Sequence, residues 1–98
     1  MIISGGFNVY PAEIENGLAN IDGVVQSAVI GIADERMGEV PKAYIVKAQG
    51  SDLDAQQVID WCCTNMANYK VPRAIEFIDA MPLNASGKIV KGELRQRA

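Results

Sequence analysis

Histidine is absent from the 98 residues. That absence removes the Ser-His-Asp and Cys-His triads, imidazole acid–base chemistry near neutral pH and every histidine-bearing zinc site. Cysteine is scarce, and the two that occur, Cys62 and Cys63, are adjacent. They can neither staple distant segments nor complete a four-thiolate metal site, so the reading is a reduced thiol pair in a cytoplasmic setting and no metal ligands. No apolar run approaches the roughly 20 residues that a membrane helix needs. The first residues also lack the basic lead-in and apolar stretch of a signal peptide. The length leaves room for one modest core and none for a multi-domain enzyme.

What the chain does have is a globular composition, with 49% hydrophobic and 21% charged residues and no low-complexity tract, which is enough apolar content to fold. The net charge of -3 hides an asymmetry: residues 1–69 carry three basic and nine acidic side chains, residues 70–98 six and three. A basic C-terminal end suits a phosphate-bearing ligand or a solvated face. Nucleic acid fits poorly, because the molecule is acidic and its aromatic residues do not alternate with basic ones.

Patterning predicts the elements. Met1–Tyr10, broken at Ser4-Gly5-Gly6, reads as a short hairpin. Pro11 suits a first helical turn, and Ile14, Leu18 and Ile21 make a buried stripe that Asp22-Gly23 ends. Val24–Ile32 and Lys42–Ala48 read as strands, with Pro41 expected at a start or an edge. Asp54 and Gln57 form a capping pair, and Leu53 with Val58 a staple, for a helix to Met66 whose wide apolar face takes in both cysteines. Ile75 and Phe77 mark a further strand, 81–87 a loop and Lys91–Arg97 a closing helix. The expected fold is a small α+β domain, a mixed sheet covered by helices in the order ββαββαβα.

Two glycine loops and a basic cluster could carry chemistry. Ser4-Gly5-Gly6 is either a tight turn or a place where backbone approaches a ligand closely. Pro82-Leu83-Asn84-Ala85-Ser86-Gly87-Lys88 ends like a P-loop but fails that test: proline stands where the first glycine belongs and Ile89 where Ser or Thr would ligate magnesium. What remains is a lysine on a small-residue loop, a compact cation for phosphate or carboxylate oxygens. Tyr69, Lys70 and Arg73 can stack a purine and hold phosphates, or cover a core edge. Glu13 and Glu15 do not face each other on a helix and read as favourable charges at its N-terminus.

Four segments in this order and spacing, SGGFNVYPAEIE, GIADERMGEVPKAYIV, NYKVP and PLNASGKIVKGELR, closely resemble the C-terminal domain of adenylate-forming acyl-CoA synthetases, the family that includes aryl-CoA ligases, luciferases and peptide-synthetase adenylation domains. The resemblance covers essentially the whole chain. It implies that residues 1–98 are one mobile C-terminal domain, with the ATP- and acyl-binding N-terminal domain and the hinge outside this sequence. It further implies an AMP-forming acyl-CoA ligase of fatty or aryl acid type, with ATP and coenzyme A as co-substrates, magnesium held in the absent domain, and no activity in isolation. Lys88 matches the family's catalytic lysine of carboxylate adenylation. Gly5, Gly6 and Phe7 match the loop of the pantetheine tunnel, and Met37, Tyr69 and Arg73 correspond to residues near the CoA nucleotide. Some relatives have arginine in place of Val71 and tryptophan in place of Met37, and luciferases have an auxiliary lysine in place of Gly5. The alternative is a free-standing module that binds CoA or nucleotides, or docks onto a separately encoded N-terminal domain.

Overall fold

The computed structural model describes residues 2–97, with the side chain of Tyr69 also outside the described set. Its elements are β1 (Ile2–Ser4), β2 (Phe7–Val9), α1 (Pro11–Leu18), β3 (Val24–Asp34), β4 (Gly38–Lys47), α2 (Ala55–Asn65), a 3-10 turn at Asn68–Lys70, β5 (Ala74–Phe77) and α3 (Lys91–Arg97). The order is the one the patterning predicts.

β4 is the central strand. β3 lies antiparallel along one edge from Val24↔Lys47 to Asp34↔Gly38, while the other edge is shared by β1, through Ser4↔Gly38, and by β5, which runs parallel from Lys42↔Ala74 to Ile45↔Phe77. Pro41 therefore sits inside a central strand rather than at its start. The carbonyl of Pro41 accepts from the Arg73 N–H at 2.9 Å, so its nitrogen faces the same edge, in the gap between the β1 pairing at Gly38 and the β5 pairing that begins at Lys42.

Alternation along β3 and β4 sorts two apolar faces. On one, Val29, Ala43 and Ile45 pack with Ile14 and Leu18 of α1 and Val58 and Cys62 of α2; on the other, Ala28, Ile30 and Tyr44 pack with Met81 and Leu94 of α3. The Asp54 capping box forms as expected, with Asp54 Oδ1 accepting from the Gln57 N–H at 2.8 Å and Gln57 Oε1 from the Asp54 N–H at 2.9 Å. Two expectations need correction. α1 ends at Leu18, although Ile21 is still buried, because the chain leaves the helix through backbone turns that keep the stripe inside. Only Cys62 is core; Cys63, one residue and about 100° further round α2, is exposed.

The C-terminal helix is tied down by polar contacts. The buried Tyr44 hydroxyl donates to the Leu94 carbonyl at 3.1 Å. Lys42 and Arg97 lie over the Tyr44 ring and both reach Glu76. Burial opposes the Lys42 charge, but the Tyr44 hydroxyl and Glu76 outweigh it and hold its pKa above the ordinary value.

Candidate functional site

Two hairpins and one short segment meet at the end of the sheet where β4 begins. The first hairpin turns through Gly5 and Gly6, at φ +58° and +86°, the pair of positive values that a two-residue turn matched to strand twist demands. The second joins β3 to β4 through Glu35, Arg36 and Met37. Asp34 Oδ1 accepts from the Arg36 and Met37 N–H groups, both at 2.9 Å. Those two bonds, from Met37 first and then Arg36, hold the Asp34 carboxyl below its usual pKa, with the Arg36 and Arg73 guanidinium groups adding to the effect. The hairpins are joined directly: the Gly5 N–H donates to the Met37 carbonyl at 2.9 Å, and a Cβ at Gly5 would fall 2.5 Å from Met37 Cε.

The third component is the 68–73 segment, whose 3-10 turn packs against β2. Asn68 and Arg73 join Asp34, Arg36, Met37 and Val40 around a groove of about 400 Å³. Gly5, Gly6, Phe7, Met37 and Arg73, expected from separate stretches of sequence, are thus brought to one end of the molecule. Phe7 is 55% exposed. The Tyr69 side chain lies outside the described residues, though its backbone belongs to the turn beside β2. Residue patterning missed Arg36, Asp34 and Asn68. An aspartate followed four positions later by glycine was the available signal, since it marks a capped three-residue hairpin that would carry Arg36 and Met37 at its tip.

Lys88 lies elsewhere, on a hairpin that leads into α3. Leu83 bridges Ile89, the Val90 N–H donates to the Pro82 carbonyl at 2.8 Å, and the tip from Asn84 to Lys88 is exposed. Gly87, at φ +80°, supplies the left-handed step that the tip requires. Below the tip Ile89 packs on the α3 face of the sheet, whereas β1 and β2 bury Ile2 and Val9 on the opposite face. Among the described residues the Lys88 side chain has no hydrogen-bond or ion-pair partner, so its ammonium is available to an incoming anion. At the base of the hairpin Lys91 pairs with Glu15 Oε2 at 2.9 Å, and the same oxygen accepts from the Val29 N–H at 2.9 Å. Glu15 therefore caps one N–H on the free edge of β3 and links α1 to α3, a role beyond its own helix end, whereas Glu13 sits in the first turn of α1 as expected and also pairs with Lys70. Among the described residues no group of three or more acidic, cysteine or histidine side chains is placed to hold a metal ion.

The arrangement offers two separate chemistries: a lone cation on an exposed hairpin, and a groove with two guanidinium groups beside a glycine turn. The model of the AMP-binding enzyme C-terminal domain matches residues 13–88. The chain is 56% identical over 96 residues to a 3-[(3aS,4S,7aS)-7a-methyl-1,5-dioxo-octahydro-1H-inden-4-yl]propanoyl:CoA ligase of Rhodococcus jostii, covering 98% of this chain and 19% of that protein. It is 54% identical over 97 residues to a feruloyl-CoA synthase of an Amycolatopsis species, covering 99% of this chain and 20% of the relative. The structure of ATP-bound MatB from Rhodopseudomonas palustris superposes with a TM-score of 0.93 at 40% identity, over 97% of this chain and 19% of that one. The chain thus spans about a fifth of the length of these relatives. With the motifs, the topology and the family model in agreement over most of its length, the chain belongs to the family of AMP-binding enzyme C-terminal domains.

Proposed function

We propose that the chain is the mobile C-terminal domain of an AMP-forming acid–CoA ligase, working with an N-terminal domain that binds ATP, magnesium and the acyl group. In the first half-reaction Lys88 meets the substrate carboxylate and the α-phosphate as they combine and pyrophosphate leaves. Oxygen-rich anions must approach one another in that step, and a cation with no internal partner stabilises the charge. In the second half-reaction the Gly5-Gly6 turn and Phe7 line the pantetheine path, with Met37, Tyr69 and Arg73 toward the CoA nucleotide. The observation that carries this reading is that the two features are separate, Lys88 standing on one exposed hairpin while the glycine turn and two guanidinium groups gather at the end of the sheet where β4 begins, which suits a domain that presents one surface for adenylation and another for thioester formation.

The test is Lys88→Ala in the complete ligase. Pyrophosphate release should fall by about 10²–10³, the cost typical of a lost electrostatic donor, while thioester formation from supplied acyl-adenylate persists. Normal pyrophosphate release would refute the assignment. The isolated chain, without the ATP and acyl sites, should turn over nothing; restored turnover on mixing it with the separate large domain would show that the two parts assemble without a covalent link.

A further inference from the structure

We infer that Asn84 is a positioning residue for Lys88, fixing the point from which the lysine side chain springs; the inference rests on the assignment of Lys88 to the adenylation step. Asn84 Oδ1 accepts from the Ser86 N–H at 2.9 Å and from the Lys88 N–H at 3.0 Å. Its own N–H donates to the Lys88 carbonyl at 2.9 Å, and its carbonyl accepts from the Gly87 N–H at 3.0 Å. Both backbone polar groups of Lys88 therefore end on one residue, four positions earlier.

Among the described residues no other hydrogen bond holds the tip. Every residue from Leu83 to Lys88 is exposed, so no packing defines where the Lys88 Cα sits, and the first apolar anchor is Ile89 below it. A lysine has a long, flexible stem, and the fewer of its degrees of freedom are fixed beforehand, the more must be frozen as the transition state forms. An alanine at position 84 keeps the two backbone bonds and deletes the two that use the side chain. The Lys88 and Ser86 amides then turn to water, and the tip can swing about the Leu83–Ile89 bridge. The loss should therefore appear in the adenylation rate and spare the stability of the core. A serine hydroxyl can accept from the amide two residues on, as an asparagine does, though more weakly.

The experiment measures both half-reactions of the complete ligase in Asn84→Ala, Asn84→Ser and Lys88→Ala. For Asn84→Ala the expected result is a fall in kcat for pyrophosphate release of about tenfold to a hundredfold, the scale of an ångström-sized misplacement. KM for ATP and for the acid should stay within about twofold, as for an interaction made only in the transition state, and thioester formation from supplied acyl-adenylate should be unchanged. Asn84→Ser should fall between wild type and Asn84→Ala. The positioning role is overturned if Asn84→Ala keeps the wild-type kcat while Lys88→Ala loses it, if both half-reactions fall together, if only KM changes, or if serine does no better than alanine. Wild-type pyrophosphate release by Lys88→Ala would instead remove the assignment on which the inference stands.

Discussion

The two glycines of the first turn make a matched pair for separating strain from function. Both have positive φ, +58° at Gly5 and +86° at Gly6, so an alanine at either costs about 1–2 kcal/mol of left-handed backbone energy. Their surroundings differ. A Cβ at Gly6 would meet nothing within 4 Å, whereas one at Gly5 would lie 2.5 Å from Met37 Cε and must push that methyl aside. Displacing a flexible side-chain end off its rotamer adds about 0.5–1.5 kcal/mol. Gly5→Ala should therefore destabilise the chain more than Gly6→Ala, and at about 4–8 °C per kcal/mol for a domain of this size the difference is readable in a thermal melt. Combining Gly5→Ala with Met37→Ala should cost less than the sum of the two single changes, because the collision is gone. In the complete ligase the ranking should reverse. Among the described residues a methyl at Gly6 meets nothing within 4 Å, so a selective loss of thioester formation over adenylation points to something outside this chain, as a ligand passing the turn would be. Strict additivity in the Gly5–Met37 cycle would refute the packing argument, and equal loss of both half-reactions in Gly6→Ala would refute the tunnel.

How much of this was legible beforehand depends on whether a feature is local. The capping box at Asp54, the order of elements and the α3 boundary follow from residues within a turn of one another, and the structure has them as the patterning says. Pro41 was misplaced because the rule that keeps proline out of central strands assumes a continuous partner. Here the partner edge is divided between β1 and β5, and that division is a property of the tertiary arrangement. Glu15 was read as a helix-end charge, yet its carboxylate ends on Val29 and Lys91, 14 and 76 positions away in the chain. No periodicity in a single segment announces such a pairing. The candidate site shows the same split. Each hairpin was visible through its glycines, but the meeting of the Gly5 turn with the Met37 hairpin and the Arg73 segment depends on β4 bringing three distant stretches to one edge. The family resemblance supplied that grouping, and residues it did not single out, Arg36 among them, emerged only with the fold.

The thiols should separate in reactivity: one equivalent of a thiol reagent should label the native chain at exposed Cys63 and a second should require denaturant, so two fast equivalents would contradict the burial of Cys62. Burial, then the neighbouring Cys63, pushes the Cys62 thiol up from 9.0 to about 11. The folded state thus holds the proton more tightly than the unfolded one, and the associated stability is complete below pH 9 and drains away as pH rises toward 11; Cys62→Ala, though less stable at neutral pH, should lose that alkaline slope in chemical denaturation. Tyr44→Phe removes the buried donor to the Leu94 carbonyl and should cost about 1–2 kcal/mol, with hydrogen exchange in α3 accelerating more than in α1; uniform acceleration would mean that the hydroxyl does not anchor the helix. The groove proposed for the second half-reaction gives the sharpest contrast. Arg36 and Arg73 line it together with Asp34, and neither guanidinium forms an ion pair among the described residues, so both are free to meet phosphate. Replacing either by alanine should raise KM for CoA about tenfold or more, the worth of one charge-assisted contact, and leave KM for ATP alone. On the proposed reading the two act on one polyanion, so dephospho-CoA should narrow the effect of whichever arginine meets the 3′-phosphate and leave the other unchanged; equal increases in KM for CoA and ATP would place these arginines outside the CoA path.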